Sequence, residues 1–121
     1  MAPPGDPEQG RPLLGQISTE IVRAFKQYYG KGPSRARSYL MDEYVLVVME
    51  GGLTRSEETL LADGKAHLVR EYRLAFQETV TQTTTRAVED LTGRKVLSYH
   101  SQIVFDPTRT FEIFVLESPV G

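Results

Sequence analysis

The feature that most constrains the fold of this chain is a short pattern that occurs twice. Residues 23–31 and residues 86–94 both read Arg-Ala-apolar-x-x-apolar-x-Gly-basic. Each copy ends a segment with helical periodicity, where a glycine adopts the left-handed conformation that stops a helix and the helix dipole favours a cation. Two segments rich in β-branched and aromatic residues follow each copy. The sequence therefore predicts two α-β-β units in one chain.

The spacing of apolar residues sets the limits of these elements. In the first unit, steps of three and four residues predict a helix over 12–29, with Pro12 at its first position. Alternation predicts hairpin strands over 36–41 and 44–50. The second unit repeats this order, with a helix over about 65–92 and strands over 96–105 and 110–117.

A helical insertion separates the two units. Thr54 and Glu57 have the spacing of a capping box, which predicts a short helix over residues 55–62. The threonines of residues 79–85 lower the helix propensity of the next segment. Because the apolar stripe resumes in register beyond them, we expect that helix to continue.

These elements predict an α+β fold. We expect a two-layer sandwich in which a four-stranded, mostly antiparallel sheet carries the helices on one face. Residues 12–118 suit a single domain, and residues 1–11, rich in proline and glycine and acidic, suit a disordered N-terminal tail.

Apolar side chains occupy both faces of the predicted strands. In the second strand, Tyr44, Leu46 and Val48 alternate with Val45, Val47 and Met49. Helices cover only one face of such a sheet, and in so small a chain the simplest cover for the other is a second copy. The sequence therefore predicts a homodimer.

The residue types argue against several classes of function. The chain has no cysteine, and His67 and His100 have no metal-binding spacing. No nucleophile elbow is present, and the paired carboxylates, such as Glu57 and Glu58, suit solvated turns and helix surfaces. We expect no catalytic residues, no metal and no cofactor, and a protein that is not an enzyme.

Charge and hydropathy limit the classes of partner that the protein can have. The net charge of −2 and the lack of interleaved aromatic residues argue against nucleic acid. The longest apolar run, residues 44–49, is too short to span a membrane, and the N-terminus has no signal-peptide core. We therefore expect a cytoplasmic protein without a direct membrane span.

One segment is a candidate binding site. Between Ile21 and Met41 the chain has five basic residues and no acidic one, whereas acids dominate from Asp42 to Asp63. One interpretation is a solvated surface; the other is an anion or partner site formed by Lys31, Arg35 and Arg37. GKGP (30–33) is not a Walker loop, because a helix precedes it and a strand follows it.

Residues 13–118 resemble the MpsC-like family of small bacterial domains. The resemblance rests on GKGP (30–33), GGLTRSE (51–57), LVREYR (68–73), LTGRKV (91–96) and FVLE (114–117). The threonine-rich segment departs from the charged helix usual in that family.

The resemblance implies a role in a Na⁺-translocating, membrane potential-generating system linked to ion and inorganic-carbon transport. It implies a soluble accessory or regulatory subunit, peripheral to the inner membrane through a membrane transporter partner. Two other hypotheses stay open. One is a dimeric sensor that binds a small anion or nucleotide through the basic segment, and the other is an unrecognised enzyme.

Overall fold

Three helices and four strands make up the described part of the chain. The structure, a computed structural model, describes residues 7–118. In chain order the elements are α1 (Pro7–Tyr29), β1 (Arg35–Met41), β2 (Tyr44–Glu50), α2 (Arg55–Ala62), α3 (Ala66–Thr92), β3 (Val96–Val104) and β4 (Arg109–Leu116).

The start of α1 differs from the predicted start. The helix begins at Pro7 rather than at residue 12, so residues 7–11 of the predicted tail are helical. Proline suits a first helical position because the N–H that it lacks has no partner there. Residues 1–6 of the predicted tail lie outside the described part of the chain.

The strands form one four-stranded sheet in the order β1-β2-β4-β3. All three pairings are antiparallel, and the two hairpins meet where β2 pairs with β4. The helices pack on one face of this sheet, which confirms the predicted two-layer α+β fold built from two α-β-β units. The α2 helix is the predicted insertion.

The core lies between the helices and the two central strands. Its fully buried members include Ile17 and Ile21 of α1, Val45 and Val47 of β2, and Phe114 of β4. Successive residues of a strand alternate between its two faces, so these positions fix which face the helices cover.

The threonine-rich segment continues α3 as predicted. Thr84 is fully buried and lies between Val80 and Val88 on the same face of the helix. Its hydroxyl donates to the Thr81 carbonyl oxygen at 3.2 Å, so it enters the core with a hydrogen-bond partner.

The two repeated glycines end their helices in the same way. Gly30 has φ of 82° and Gly93 has φ of 70°. Each donates its N–H to the carbonyl four residues earlier, at 2.9 Å and 2.8 Å respectively. The left-handed cap predicted from the repeat is therefore confirmed.

Candidate functional site

The predicted basic site is divided by the fold. Arg35 and Arg37 lie on β1. Ser38, the next residue of that strand, hydrogen-bonds to Ser18 of α1, so its side chain points towards the helices. Since side chains alternate along a strand, Arg35 and Arg37 lie on the face of the sheet turned away from the helices. Lys31 lies apart from them, exposed in the loop after α1.

A third arginine joins the two on β1. Arg109 of β4 and Arg35 both approach Glu50 of β2, at N···O distances of 3.7 Å and 3.6 Å. The three arginines, with Tyr39, Val48 and Glu50, line a shallow depression of about 220 Å³. Arg109 was missed because its position beside Arg35 depends on the pairing of β2 with β4.

The uncovered side of the sheet, here called the open face, is largely apolar. Its apolar members are Tyr39, Met41, Tyr44, Leu46, Val48, Phe111, Ile113 and Val115. Tyr44 is 44% exposed and Met41 is 55% exposed, and no described element packs over them. Large contiguous apolar surfaces of this kind are rare on monomeric soluble proteins, and they usually mark an interaction site.

Charge is distributed unevenly along the open face. The three arginines lie at the end of the β1–β2 hairpin where Arg35 pairs with Glu50. The acidic turn formed by Asp42 and Glu43 lies at the opposite end. The β1–β2 hairpin thus has an arginine-rich end, where Glu50 lies among the arginines, and an acidic turn at its other end.

A buried ion pair ties α2 to α3 on the helical side. Arg73 donates from Nε and Nη2 to the two carboxylate oxygens of Glu57, each at 2.6 Å, and from Nη2 to the Gly52 carbonyl at 3.1 Å. Its guanidinium carbon lies 4.0 Å from the ring centroid of Tyr29. Burial opposes ionisation of Glu57, but hydrogen bonds from Arg73 and Thr54 outweigh it and lower the pKa of that carboxyl. Burial also raises the pKa of Tyr29 to about 12.

Three of the sequence motifs meet at this ion pair. Gly52 of GGLTRSE has φ of 87°, and a Cβ atom there would lie 3.1 Å from Cα of Pro33, in GKGP. Glu57 belongs to GGLTRSE and Arg73 to LVREYR. These motifs thus have a structural role in joining the end of α1 to α2 and α3.

The remaining motifs meet at the other end of the molecule. The guanidinium of Arg94, in LTGRKV, donates to the carbonyl oxygens of Asp42 and Glu117. The backbone N–H of Glu117, in FVLE, donates to the Lys95 carbonyl at 2.8 Å. The contact between Arg94 and Asp42 ties the end of α3 to the first hairpin.

A second buried carboxyl has a different environment. Glu112 of β4 is fully buried on the helix-facing side of the sheet. The hydroxyl of Tyr99 donates to its Oε1, whereas Oε2 has no hydrogen-bond partner among the described residues. Burial raises the pKa of Glu112 to about 7, and the neighbouring hydroxyl groups of Ser101 and Tyr99 lower it only in part.

Glu112 was not predicted as a site residue, although its place in the strand pattern is a signal. Strand alternation places it on the same face as Phe114 and Leu116, which makes it the acid on the buried side of β4. An acid at a core position indicates a special environment, because carboxylates are almost never fully buried without a partner.

A cavity of about 300 Å³ lies between α1, α3 and β3, and we call it the helix-side cavity. Its lining residues are Phe25, Tyr29, Arg70, Arg73, Leu74, Gln77, Val80, Tyr99, Ser101, Gln102, Ile103 and Thr110. Ser101 pairs with buried Glu112 and shares its face, yet Ser101 is exposed because the helices do not close over this part of β3.

Neither site has the donors of a metal centre. Among residues 7–118, no group of three His, Asp or Glu side chains could hold a metal ion. The same range contains no helix that is both long enough and apolar enough to cross a membrane.

The fold and its uncovered sheet define a small α+β domain, and comparison with known proteins gives its family. A family model described as "Na+-translocating membrane potential-generating system (MpsC)" matches residues 11–118. The chain therefore belongs to the MpsC family.

One curated relative is the protein named "Uncharacterized protein YrhF" from Bacillus subtilis (strain 168). It is 22% identical over 104 residues, which cover 84% of this chain and 85% of the relative. No solved structure matches the chain.

Proposed function

We propose that this protein is a non-catalytic accessory domain of a Na⁺-translocating, membrane potential-generating system, and that it acts as a homodimer. Membership of the MpsC family supports the first part. The observation that carries the second is the open face, whose apolar side chains lie opposite the layer of helices. Burying them against a second copy removes apolar surface from water.

Charge complementarity favours a second copy of the chain as the occupant of the open face. A two-fold axis that lies between two sheets and runs perpendicular to the strands places each arginine end over the other copy's acidic turn. Arg35, Arg37 and Arg109 then face Asp42 and Glu43 of the second copy. Such an interface is self-complementary, as two-fold symmetry requires. Packed sheets in this arrangement lie about 10 Å apart, with their side chains interdigitated.

The mass of the protein in solution, measured by light scattering after size exclusion, tests the dimer. We expect a dimer at micromolar concentration and a monomer for Ile113→Asp, which places a charge in the middle of the open face. Leu68→Asp on α3 is the matched control, because Leu68 and Ile113 are both 36% exposed. A monomeric wild-type protein contradicts the proposal.

The orientation of the two copies has its own test. Arg37→Glu weakens the dimer by placing like charges opposite the acidic turn, and adding Glu43→Arg restores it. A double variant that is no more dimeric than Arg37→Glu alone contradicts the orientation.

The accessory role is tested by a tagged pull-down from gently detergent-solubilised cells, followed by mass spectrometry. We expect reproducible enrichment of a polytopic membrane transporter with the wild-type protein. Recovery of the protein with itself alone contradicts the accessory role and leaves the dimer in place.

A second candidate function is that of a small-anion or nucleotide sensor. The observation that favours it is the approach of Arg109 to Arg35 and Arg37 around one depression, since clustered guanidinium groups bind phosphate. Lys31 lies outside that depression. The sensor predicts a rise in melting temperature with phosphate-bearing ligands, abolished by the pair Arg35→Ala and Arg37→Ala. No rise across a panel of nucleotides and metabolites removes this candidate.

A further inference from the structure

We propose that the helix-side cavity binds a small organic acid that has a flat apolar body and one carboxylate, and that Arg70 receives the carboxylate. The cavity lies on the opposite side of the sheet from the open face. The proposal therefore stands independently of the dimer and of the accessory role.

The volume and lining of the cavity suit a small organic molecule. Its volume of about 300 Å³ lies at the lower end of the range for ligand pockets, which combine apolar walls with a few polar groups. Phe25, Tyr29 and Tyr99 supply aromatic walls, and Val80 and Ile103 supply aliphatic ones. Aromatic rings pack favourably against one another when stacked with an offset or edge to face, so a flat apolar body suits these walls.

The charge of the lining favours an anion. Arg70 and Arg73 are the charged residues of the lining, and no acid accompanies them. Arg73 is committed to the bidentate pair with Glu57. Arg70 makes no ion pair within the described residues, and its guanidinium carbon lies 4.9 Å from the ring centroid of Phe105. A guanidinium held on an aromatic face has donors free for a carboxylate.

Neutral polar groups complete the recognition. Ser101 and Thr110 lie on the sheet side of the cavity, and Gln77 of α3 carries an amide that both donates and accepts. Leu74 is 66% exposed although it lines the cavity, and a bound apolar body would cover it. An exposed leucine beside an unpaired arginine matches an amphipathic ligand.

The test uses two probes of the same shape that differ in charge. Binding of 2-naphthoate and of its neutral amide, 2-naphthamide, is measured by calorimetry on the full chain. We expect saturable binding of 2-naphthoate, about tenfold tighter than that of 2-naphthamide, because one charge-assisted contact contributes about that factor. Chemical shift changes in amide NMR spectra should centre on α3 and β3.

Two variants and a control locate the site. Arg70→Gln should lower the affinity for 2-naphthoate about tenfold and leave that for 2-naphthamide unchanged. Ser101→Phe, at an exposed strand position, should fill the cavity and abolish binding of both probes. Arg55→Gln, which removes an exposed arginine from α2, should change neither.

Any of three results overturns the proposal. The first is that 2-naphthoate shows no saturable binding at about 1 mM, and the second is that the two probes bind with equal affinity. The third is that Arg70→Gln and Arg55→Gln have equal effects. Shift changes confined to β1 and β2 would place the anion on the open face and also contradict it. Loss of folding in Ser101→Phe leaves the other comparisons decisive.

Discussion

Glu57 and Glu112 are both buried carboxyl groups, and their surroundings shift their pKa values in opposite directions. Glu57 receives two hydrogen bonds from Arg73 and a third from the Thr54 backbone, and its pKa is lowered. Glu112 has a phenol beside it instead of a cation, and its pKa rises to about 7. Burial penalises both charges, so the difference lies in the partner.

The two carboxyl groups contribute to stability in different protonation states. The ion pair between Glu57 and Arg73 joins three sequence motifs, so the charged form of the Glu57 carboxyl stabilises the fold. At Glu112 the carboxyl is neutral at acidic pH and becomes a buried charge as the pH rises past neutrality. One buried acid therefore stabilises the protein when it is charged, and the other when it is not.

The largest expected effect comes from breaking the Glu57 pair. Arg73→Met leaves a carboxylate that is 4% exposed without its cation, and removing one partner of a buried pair costs about 3–5 kcal/mol. We expect the free energy of unfolding, measured by urea denaturation at neutral pH, to fall by about that amount.

Arg55→Met is the matched control, since Arg55 is exposed on α2. It should change the free energy of unfolding by less than about 0.5 kcal/mol. Equal effects of the two substitutions would mean that the Glu57 pair adds nothing to stability.

A smaller effect, with a distinct dependence on pH, is expected at Glu112. Its folded pKa of about 7 lies above the ordinary value of 4.5, so the folded state binds more protons between these two values. Stability from this group is therefore full below its ordinary pKa and declines as the pH rises towards 7. Glu112→Gln should remove this decline. Between about pH 5 and about pH 8, the difference in unfolding free energy between the variant and wild type should shift in favour of the variant by roughly 2.5 kcal/mol.

Glu57→Gln tests whether the contribution of Glu57 to stability has the opposite pH dependence to that of Glu112. The pKa of Glu57 is lowered in the folded state, so its stabilisation is present above the ordinary value and is lost as the pH falls below it. Urea denaturation across the pH range distinguishes the two sites. Parallel pH profiles for wild type and Glu112→Gln would show that Glu112 has the same pKa in the folded and unfolded states, and would contradict its raised pKa.

The smallest expected effect separates the helix cap from the ion pair. The Glu57 N–H donates to the Thr54 hydroxyl at 3.2 Å, and Thr54→Ala removes that contact while leaving Arg73 in place. The free energy of unfolding should fall by about 1 kcal/mol, the usual contribution of an N-cap. A loss as large as that of Arg73→Met would show that the cap, and not the cation, holds Glu57.

Most of the fold could be predicted from the sequence, because its signals are local. The repeated glycine pattern, the capping box at Thr54 and the alternating strands depend on neighbours within a few residues. The limits of β2 and α2 are as predicted, whereas the start of α1 is not, because apolar periodicity carries no information about the turn that precedes it.

Less of the site was predictable, because its residues meet through tertiary packing. Glu57 was interpreted as a solvated cap, yet its side chain is only 4% exposed because Arg73, on another helix, lies over it. The helix-side cavity depends on how α3 sits above β3, and periodicity does not determine that distance. Homodimerisation and the roles of Lys31, Arg35 and Arg37 stay predictions.

The pairing of β2 with β4 also has a consequence for how the chain folds. Tyr44 lies opposite Val115, so this pairing closes a loop of about seventy residues, whereas each hairpin closes through a short turn. We expect the hairpins to form early and the central pairing to limit the folding rate, since contacts between distant residues form late. In stopped-flow refolding, Val47→Ala at the central pair should slow folding more than Ala36→Gly at the outer hairpin; the reverse order would place the slow step within a single unit.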